Sequence, residues 1–314
     1  MILFCGIPSE PPLRFALDAA SAAGLDHVVF NQRDSHHVDM TIGIVEGQLS
    51  GCLRIKERCY PLDCFSGVYM RLMEWQHLPE NQTTAVQKPD AQLVEKSRFL
   101  TEVLIEWTEL TTHRVLNRVS ATASNASKPY QARIIGECGF ETPTTLITND
   151  PQAVREFFES HRRVIYKSIS SIRSIVRELE CDDLAHLDRV RALPTQFQAF
   201  IPGTNVRVHV VGKEVFATQI ETDAVDYRYA GRDDISMSMK AVTLPRAIEE
   251  RCVQLSQRLE LPLCGIDLKR TPQDEFYCFE VNPSPAYTYY QDFTDQPIAQ
   301  AIVRWLAHGE NQPG

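Results

Sequence analysis

Several features that would identify a function at once are absent from this chain of 314 residues. Its first predicted strand is not followed by the G-x-G-x-x-G loop that binds dinucleotides. The nine cysteines form neither a C-x-x-C pair nor a Cys/His zinc pattern. The net charge of −9 gives no basic surface for nucleic acid, and no apolar run approaches the roughly 20 residues that span a bilayer. We therefore expect neither nucleic acid nor a membrane as a partner.

The composition that remains is ordinary for a globular protein, with 43% hydrophobic and 23% charged residues. Its length is sufficient for two or three lobes. The cysteines are scattered and several lie in apolar runs, which predicts reduced, mostly buried thiols. The first residues lack the basic segment of a signal peptide. We therefore expect a cytoplasmic protein.

Periodicity predicts alternating strands and helices along the first part of the chain. A strand at residues 2–7, a helix at 13–23 and a strand at 27–30 form one βαβ unit, for which a parallel sheet is the default. A hairpin turns at residues 46–47, and a long helix at residues 91–116 closes the first lobe. Asn125 is the expected N-cap of the next helix. Residues 231–239 are predicted to form a loop.

The most informative stretch is residues 263–285, LCGIDLKRTPQDEFYCFEVNPSP, which predicts two strands joined by a polar turn. Folding this hairpin places Asp267 opposite Glu280, with Asn282 on the same face. Two facing carboxylates repel each other, and oxygen ligands of this kind suit Mg²⁺. The alternative is a solvated polar face on an edge hairpin. The other face is expected to lie in the core and carries Ile266, Leu268, Phe279 and Val281.

Two basic residues lie inside strand-like runs. Lys167 in VIYKSI cannot stay buried and charged without an anion, so it either reaches solvent at the strand end or meets a phosphate. Arg207 in VRVHVV alternates with valines and could be a cross-strand ion-pair partner or an oxyanion ligand. We expect His209, on the same face, to support Arg207 rather than to act in catalysis.

The order of these elements identifies a family resemblance. The strand pair containing FEVNPSP resembles the metal-binding strands of the ATP-grasp carboxylate–amine ligases, and specifically the branch with the ribosomal-protein glutamate ligase and the macrocyclases of ribosomally made peptides. The resemblance covers residues 117–314. It implies an α/β (α+β) ATP-grasp fold of three lobes: a Rossmann-like pre-ATP-grasp lobe at residues 1–116, a central lobe at 117–194, and a C-terminal lobe with the metal site at 195–314.

The same resemblance implies a role for individual residues. Lys128 and Lys167 would contact the nucleotide, Arg207 would meet the transferred phosphate, and Arg207 with Lys167 would be catalytic. The adenine would be lined by Gln198 and the backbone of Phe200 and Ile201. The metal, Mg²⁺ or alternatively Mn²⁺, would be held by Asp267, Glu280 and Asn282. A substrate carboxylate would meet Arg228 and Arg232. The loop at residues 168–174 departs from the family pattern, because it has four serines and no glycine.

The implied activity is ATP-dependent formation of an amide bond. A carboxylate would attack ATP to give an acyl phosphate and ADP, and an amine would then displace the phosphate, with a peptide or an amino acid as substrate. Two alternatives stay open: a nucleotide-binding regulatory protein without turnover, and a macrocyclase that forms an ester. A homodimer is also left open.

Overall fold

The computed structural model describes residues 1–83, 89–168, 176–222 and 237–309. Its first sheet is parallel and has the order β2-β1-β6-β7. The strands are β1 (Ile2–Gly6), β2 (His27–Asn31), β6 (Gly67–Arg71) and β7 (Arg114–Leu116). The carboxyl ends of β1, β2 and β6 therefore meet at one edge, where Gly6 pairs with both Asn31 and Arg71. The predicted βαβ unit and its parallel sheet are confirmed.

One face of this sheet packs against α2 (Ala91–Leu110) and a small antiparallel sheet. That sheet consists of β3 (Val38–Val45), β4 (Gln48–Ile55) and β5 (Arg58–Pro61). Trp107, Leu104 and Phe65 are fully buried between them. The predicted turn at residues 46–47 joins β3 to β4 and is confirmed.

The prediction of one helix over residues 91–116 is wrong at its C-terminal end. The helix stops at Leu110, and residues 114–116 form β7. Val115 and Leu116 are both buried, but they belong to the cores on opposite faces of the sheet. A helix would place neighbouring residues on nearby faces, whereas a strand alternates them.

The middle of the chain forms an antiparallel sheet of order β10-β9-β11-β8. Its strands are β8 (Thr145–Thr148), β9 (Val164–Ser168), β10 (Arg177–Glu178) and β11 (Thr195–Ala199). Helix α5 (Pro151–His161) packs against it, and α3 (Val119–Thr122) and α4 (Lys128–Glu137) precede it in the chain. Val154 on α5 packs with Val164 and Phe197 on one face of the sheet, which leaves the opposite face available for a ligand. Because β11 pairs with β8 and β9, we propose to count residues up to 199 with the central lobe.

The C-terminal sheet has the order β14-β13-β12-β15-β16 and is antiparallel throughout. Its strands are β12 (Thr204–Val211), β13 (Glu214–Thr222), β14 (Met237–Val242), β15 (Leu263–Arg270) and β16 (Phe276–Asn282). The remaining helices are α6 (Arg246–Arg258), α7 (Thr288–Thr294) and α8 (Ile298–His308). Helices α4 and α6 cover one face of this sheet. Residues 237–239 belong to β14, so the predicted loop at 231–239 is wrong for that part.

The last helix returns to the first lobe. Helix α8 packs with α1 (Pro11–Ala22) against the second face of the N-terminal sheet, where Phe4, Leu13 and Ile302 share one core. The approach is close at Gly67, because a Cβ there would lie 2.9 Å from the Cα of Leu306. Arg114 also donates hydrogen bonds to the carbonyls of Leu306 and Ala307. The two ends of the chain are therefore packed into one structural unit.

The expectation that every cysteine is a reduced thiol is wrong for one pair. Cys52 on β4 and Cys59 on β5 form a disulfide, with their Cα atoms 6.2 Å apart. Of the seven free cysteines, Cys5, Cys138, Cys252, Cys264 and Cys278 are buried as predicted. Sequence spacing gave no sign of the pair, because the two residues meet only when β4 and β5 align. None of the described helices is long and apolar enough to cross a bilayer.

Candidate active site

The hairpin of β15 and β16 has the predicted pairing at the candidate metal residues. Asp267 pairs with Glu280, and Asn282 pairs with Gly265 on the same side of the ladder. All three predicted metal residues are partly exposed, whereas Ile266, Leu268 and Val281 on the other face are buried in the core. The expectation that this hairpin has one polar and one apolar face is therefore confirmed for these residues.

Phe279 is the exception to that pattern. The register shifts between Asp267 and Leu268, so that Leu268 pairs with Cys278 and one extra residue is inserted before Glu280. Cys278 fills the core position, while Phe279 is only partly buried and lines a cavity beside Lys128. The prediction that Phe279 lies in the core is wrong, because simple alternation cannot include a bulge.

Each of the two carboxylates has a cation beside it. Arg207 Nη1 donates to Asp267 Oδ1 over 2.7 Å, and Lys128 Nζ donates to Glu280 Oε1 over 2.6 Å. The side chains of Arg207 and Lys128 are only 6% and 14% exposed, so these pairs are poorly screened by water. The expected repulsion between Asp267 and Glu280 is therefore offset, because a cation counters each of the two charges.

Lys128 holds its position through a second contact. Its Nζ also donates to Asn125 Oδ1 over 3.0 Å. The prediction that Asn125 is the N-cap of α4 is wrong. The helix begins at Lys128, and its capping position is occupied by Ser127. The amide of Asn125 instead orients the lysine toward Glu280.

Arg207 lies in the middle of the C-terminal sheet, between Thr218 on β13 and Asp267 on β15. Its guanidinium extends across Gly265. A Cβ at residue 265 would overlap Nη2 and lie 2.5 Å from Cζ, so only glycine leaves room for this side chain. Sequence reasoning missed Gly265. Its only sequence signal is a glycine two residues before a predicted metal ligand, inside a strand.

His209 lies two residues beyond Arg207 and is fully buried. Its ring centroid is 4.9 Å from that of Tyr290, and neither ring nitrogen has a hydrogen-bond partner among the described residues. Desolvation, and secondarily the charge of Arg207, hold the pKa of His209 well below its usual range. The imidazole is therefore neutral at physiological pH and adds no positive charge next to Arg207.

A cavity of about 320 Å³ separates the central sheet from the β15–β16 hairpin. Lys128, Lys167, Gln198 and Phe279 line it, together with Gln196, which sequence reasoning missed. Lys128, Lys167 and Gln198 are separate predictions from the sequence, and the fold brings them together at this cavity. Gln196 pairs directly with Lys167 across β9 and β11, so both side chains face the same side of the sheet.

The two glutamines present polar atoms into this cavity. Gln198 Nε2 donates to Thr145 Oγ1 over 2.9 Å. The Oε1 atoms of Gln196 and Gln198 are buried and have no partner among the described residues. Buried polar atoms normally have a hydrogen-bond partner, so this wall is suited to a ligand with hydrogen-bond donors.

The predicted adenine-lining backbone begins where β11 ends. The Phe200 N–H donates to the carbonyl of Arg163 over 3.0 Å and is therefore used within the fold. Arg163 Cζ and Lys269 Nζ lie 3.6 and 5.1 Å from the centroid of the Phe200 ring. Burial, and secondarily Arg163, lower the pKa of Lys269. Ile201 is partly buried next to Phe200.

A second and larger cavity, of about 750 Å³, lies on the other side of the hairpin end. Arg71 at the end of β6 lines it and is held by the carboxylate of Glu10. Arg71 Nη1 also donates to Ser284 Oγ over 2.9 Å, and the Ser284 N–H donates to Asn282 Oδ1 over 2.9 Å. Asn125 lines the same cavity. The N-terminal lobe is therefore linked to the predicted metal residue Asn282 through Arg71 and Ser284.

Comparison with known proteins decides the family. Residues 125–306 match the model of the RimK-like ATP-grasp domain. The chain belongs to the RimK-like ATP-grasp family. The predicted family and the predicted mixed α/β ATP-grasp fold are therefore confirmed. No curated protein matches the sequence.

Several solved structures share this fold over almost the whole chain. A Chryseobacterium gregarium RiPP-associated ATP-grasp ligase, in complex with ADP and a leader and core peptide, is 21% identical with a TM-score of 0.79, covering 99% of this chain and 97% of its own. Macrocyclase MdnC from Microcystis aeruginosa MRC, bound with precursor peptide MdnA, is 20% identical with a TM-score of 0.78 and covers 97% and 98%. ATP-grasp ligase PsnB, complexed with minimal precursor, Mg and ADP, is 25% identical with a TM-score of 0.74 and covers 97% and 96%.

The ATP-grasp chain has a ligand set that fits Mg²⁺. Asp267, Glu280 and Asn282 supply oxygen atoms only, which is the donor chemistry that Mg²⁺ prefers. The side chains of Asp267 and Glu280 are both 24% exposed, so they can be reached by an ion that keeps part of its water shell. The two predicted substrate residues of this ATP-grasp chain, Arg228 and Arg232, lie outside the described residues.

Proposed function

We propose that this chain is an ATP-dependent ligase that joins a carboxylate to an amine through an acyl phosphate. One observation carries the proposal. Asp267 and Glu280 face each other across the hairpin. Arg207 is paired with Asp267, and Lys128 is paired with Glu280. Lys128 also lines the cavity that contains Lys167. Such an arrangement provides a metal-binding face and two separate positive charges next to a site for a polyphosphate.

ATP binds in the 320 Å³ cavity, with its base against the glutamine wall and its phosphates toward the lysines. The unpartnered Oε1 atoms of Gln196 and Gln198 accept from the amino group of the base. Lys128 and Lys167 bind the phosphates as compact positive charges. Bound at Asp267, Glu280 and Asn282, Mg²⁺ would neutralise charge on the phosphates.

Arg207 acts where the phosphoryl group is transferred. A carboxylate oxygen of the substrate forms a bond to the γ-phosphorus, and the bond to the β–γ bridging oxygen breaks to release ADP. The amine nitrogen then attacks the acyl carbon, phosphate leaves, and the nitrogen loses a proton. The guanidinium of Arg207 can donate two hydrogen bonds to the phosphoryl oxygens while its charge stays fixed. No cysteine or serine needs to act as a nucleophile.

The 750 Å³ cavity takes the substrate, and its size and position favour a peptide. It is lined by apolar side chains, by Arg71 and by polar residues that include three glutamates. One of its lining residues, Ser284, is hydrogen-bonded to the predicted metal ligand Asn282. A volume of this size falls within the range of sites that enclose small ligands or several side chains. The neighbouring ligases named above were solved with precursor peptides. Arg228 and Arg232 are proposed to bind a carboxylate of that peptide.

The test is a turnover assay on the full chain with Mg²⁺ and ATP. The peptide tested is a short one encoded next to the gene, and ADP release is measured with and without it. We expect peptide-dependent ADP release and a product that is lighter than the peptide by one water for each bond that joins two groups of the same peptide. Tight ATP binding with no turnover on any peptide would instead favour a nucleotide-binding regulatory protein.

The nature of the bond is tested on the same product. An amide survives mild alkali, whereas an ester is hydrolysed back to the parent peptide. Survival of the mass loss supports the amine acceptor proposed here, and reversal would favour the ester-forming alternative. We propose the cytoplasm, where ATP is available, as the compartment. We also propose a homodimer, which a measurement of mass in solution would test.

A further inference from the structure

A second cluster of chemically active side chains lies outside the proposed ligase site. Asp34, His36 and His37 belong to the 3₁₀ segment Gln32–His37, which follows β2. His37 Nδ1 lies 2.8 Å from Asp34 Oδ1, and His36 Nε2 lies 3.4 Å from the same oxygen. One ligand atom from each side chain lies within 4.8 Å of the other two. Among the described residues, this is the one group of three His, Cys, Asp or Glu side chains whose ligand atoms lie that close together.

The spacing agrees with that of metal ligands. Two ligand atoms bound tetrahedrally at about 2.0–2.1 Å from Zn²⁺ are about 3.3 Å apart. Two imidazoles and one carboxylate form a donor set that suits transition metals of borderline softness rather than Mg²⁺ or Ca²⁺. We propose that Asp34, His36 and His37 bind one divalent transition-metal ion, for which Zn²⁺ is the probe. This site is independent of the proposed ligase function.

The segment is held in place before any ion binds. The buried side chain of Gln32 donates to the Met73 carbonyl over 2.6 Å and accepts from the Met73 N–H over 2.9 Å. Lys96 on α2 donates to the His36 carbonyl over 3.2 Å. A backbone fixed in this way loses little conformational freedom when its side chains coordinate an ion, which favours binding.

The location in the sheet favours a ligand site. Strand β2 ends at Asn31, which pairs with Gly6, and Gly6 in turn pairs with Arg71. Ligand sites of open parallel sheets collect beyond these carboxyl ends. The side chains of His36, His37 and Asp34 are 49%, 51% and 33% exposed, so an ion can reach them. Because Gln32 is bonded to Met73, which lines the 750 Å³ cavity, a bound ion would also steady one wall of that cavity.

The charge around the cluster does not oppose a cation. Two basic side chains belong to this segment or bond to it, and both are paired: Arg33 with Glu80, and Lys96 with Asp39. The chain also contains a natural comparison. His77 lies 3.5 Å from Glu74 in another exposed i,i+3 pair, and no third ligand completes that pair among the described residues. If both were ordinary histidine–carboxylate contacts, removing a histidine from either place would have the same effect on metal binding. A metal site at residues 34–37 predicts that only the histidines of that cluster affect metal binding.

The experiment is a calorimetric titration of ZnCl₂ into the full chain, after removal of bound metals by a chelator. Excess Mg²⁺ and ADP are present throughout, so that the oxygen ligands of the proposed ligase site are occupied. We expect one Zn²⁺ per chain. His36→Ala and His37→Ala should each weaken binding by at least about tenfold, the lower end of the loss seen even for residues that only support a metal ligand. His77→Ala should bind Zn²⁺ like the parent.

A second readout uses Co²⁺, whose visible absorption bands report tetrahedral coordination by nitrogen and oxygen. These bands should appear with the parent chain and with His77→Ala but not with His37→Ala. No uptake of Zn²⁺ by the parent, or equal affinity in all three histidine variants, would overturn the proposal. Loss of binding in Cys181→Ser, which removes an exposed thiol, would assign the ion to a cysteine and overturn it as well.

Discussion

Gly265→Ala should separate catalysis from nucleotide binding. The added Cβ would overlap Arg207 Nη2 and lie 2.5 Å from Cζ, whereas ordinary contacts begin at 3.4 Å. The guanidinium, as the end of a flexible side chain, must therefore shift by about 1 Å away from its position over Gly265. A displacement of about 1 Å costs roughly a hundredfold in rate, which corresponds to about 2.7 kcal/mol of activation free energy. ATP does not contact residue 265 in this proposal, so its affinity should stay close to that of the parent.

Fold stability should change little in this variant. Alanine in a strand is favoured over glycine by about 0.5–1 kcal/mol, and this gain offsets part of the strain of overpacking, which is typically about 1–3 kcal/mol. The measurements are kcat for ADP release, the Kd for ATP by calorimetry, and the midpoint of thermal unfolding. Gly43→Ala is the matched control, because a Cβ at that strand position would find its nearest neighbour, Ser50 Oγ, at 3.8 Å.

A double variant tests whether the effect passes through Arg207. Arg207→Lys keeps the charge but loses the two-pronged guanidinium, so we expect nearly unchanged ATP binding and a loss in kcat of roughly a hundredfold. Adding Gly265→Ala to Arg207→Lys should then cost little more, because the group that it displaces is already gone. The reasoning is refuted if Gly265→Ala turns over at the parent rate, or if its effect simply adds to that of Arg207→Lys.

Three further changes test the remaining residues. Lys167→Met should weaken ATP binding at least about tenfold, since hydrogen bonds to charged groups contribute about 1.5–3 kcal/mol; an unchanged Kd by calorimetry would make it an ordinary strand-end lysine. Asp267→Asn combined with Glu280→Gln should abolish Mg²⁺-dependent ADP release and also lower the unfolding midpoint, because two buried cations lose their counter-charges; normal turnover would contradict the metal assignment. Asn282→Ala removes one neutral ligand, so a higher Mg²⁺ concentration should be needed for the half-maximal rate, and an unchanged Mg²⁺ dependence would exclude Asn282 from the site.

The sequence was sufficient for the parts of the site that follow from local pairing. Residues 271–274 form a turn, and Asp267 pairs with Glu280 as predicted by folding the hairpin about it. The strand residues nearest the turn pair in a register that would place Phe279 opposite Asp267, so this pairing also depends on the bulge. Lys128 and Lys167 came from family resemblance and are brought to one cavity by the fold. Their roles remain predictions until they are measured.

What could not be predicted depends on contacts between distant elements. The bulge that directs Phe279 into the cavity is an irregularity of one strand against another, and alternation alone cannot show it. Gly265 matters only because Arg207 lies across it from the neighbouring strand. Cys52 and Cys59 meet through the register of β4 and β5. In each case the deciding partner comes from another strand rather than from the local pattern.

The packing of α8 under the first sheet has a consequence for synthesis of the chain. Domains usually acquire their structure as units while the ribosome is still adding residues. Here the inner face that carries Phe4 and Leu13 is completed by Ile302 and Leu306, close to the other end of the chain. The nascent first lobe must therefore wait with an apolar face uncovered until the last helix has emerged. Fragments designed to end near residue 116 should for the same reason be prone to aggregation, even though they contain all four strands of that sheet.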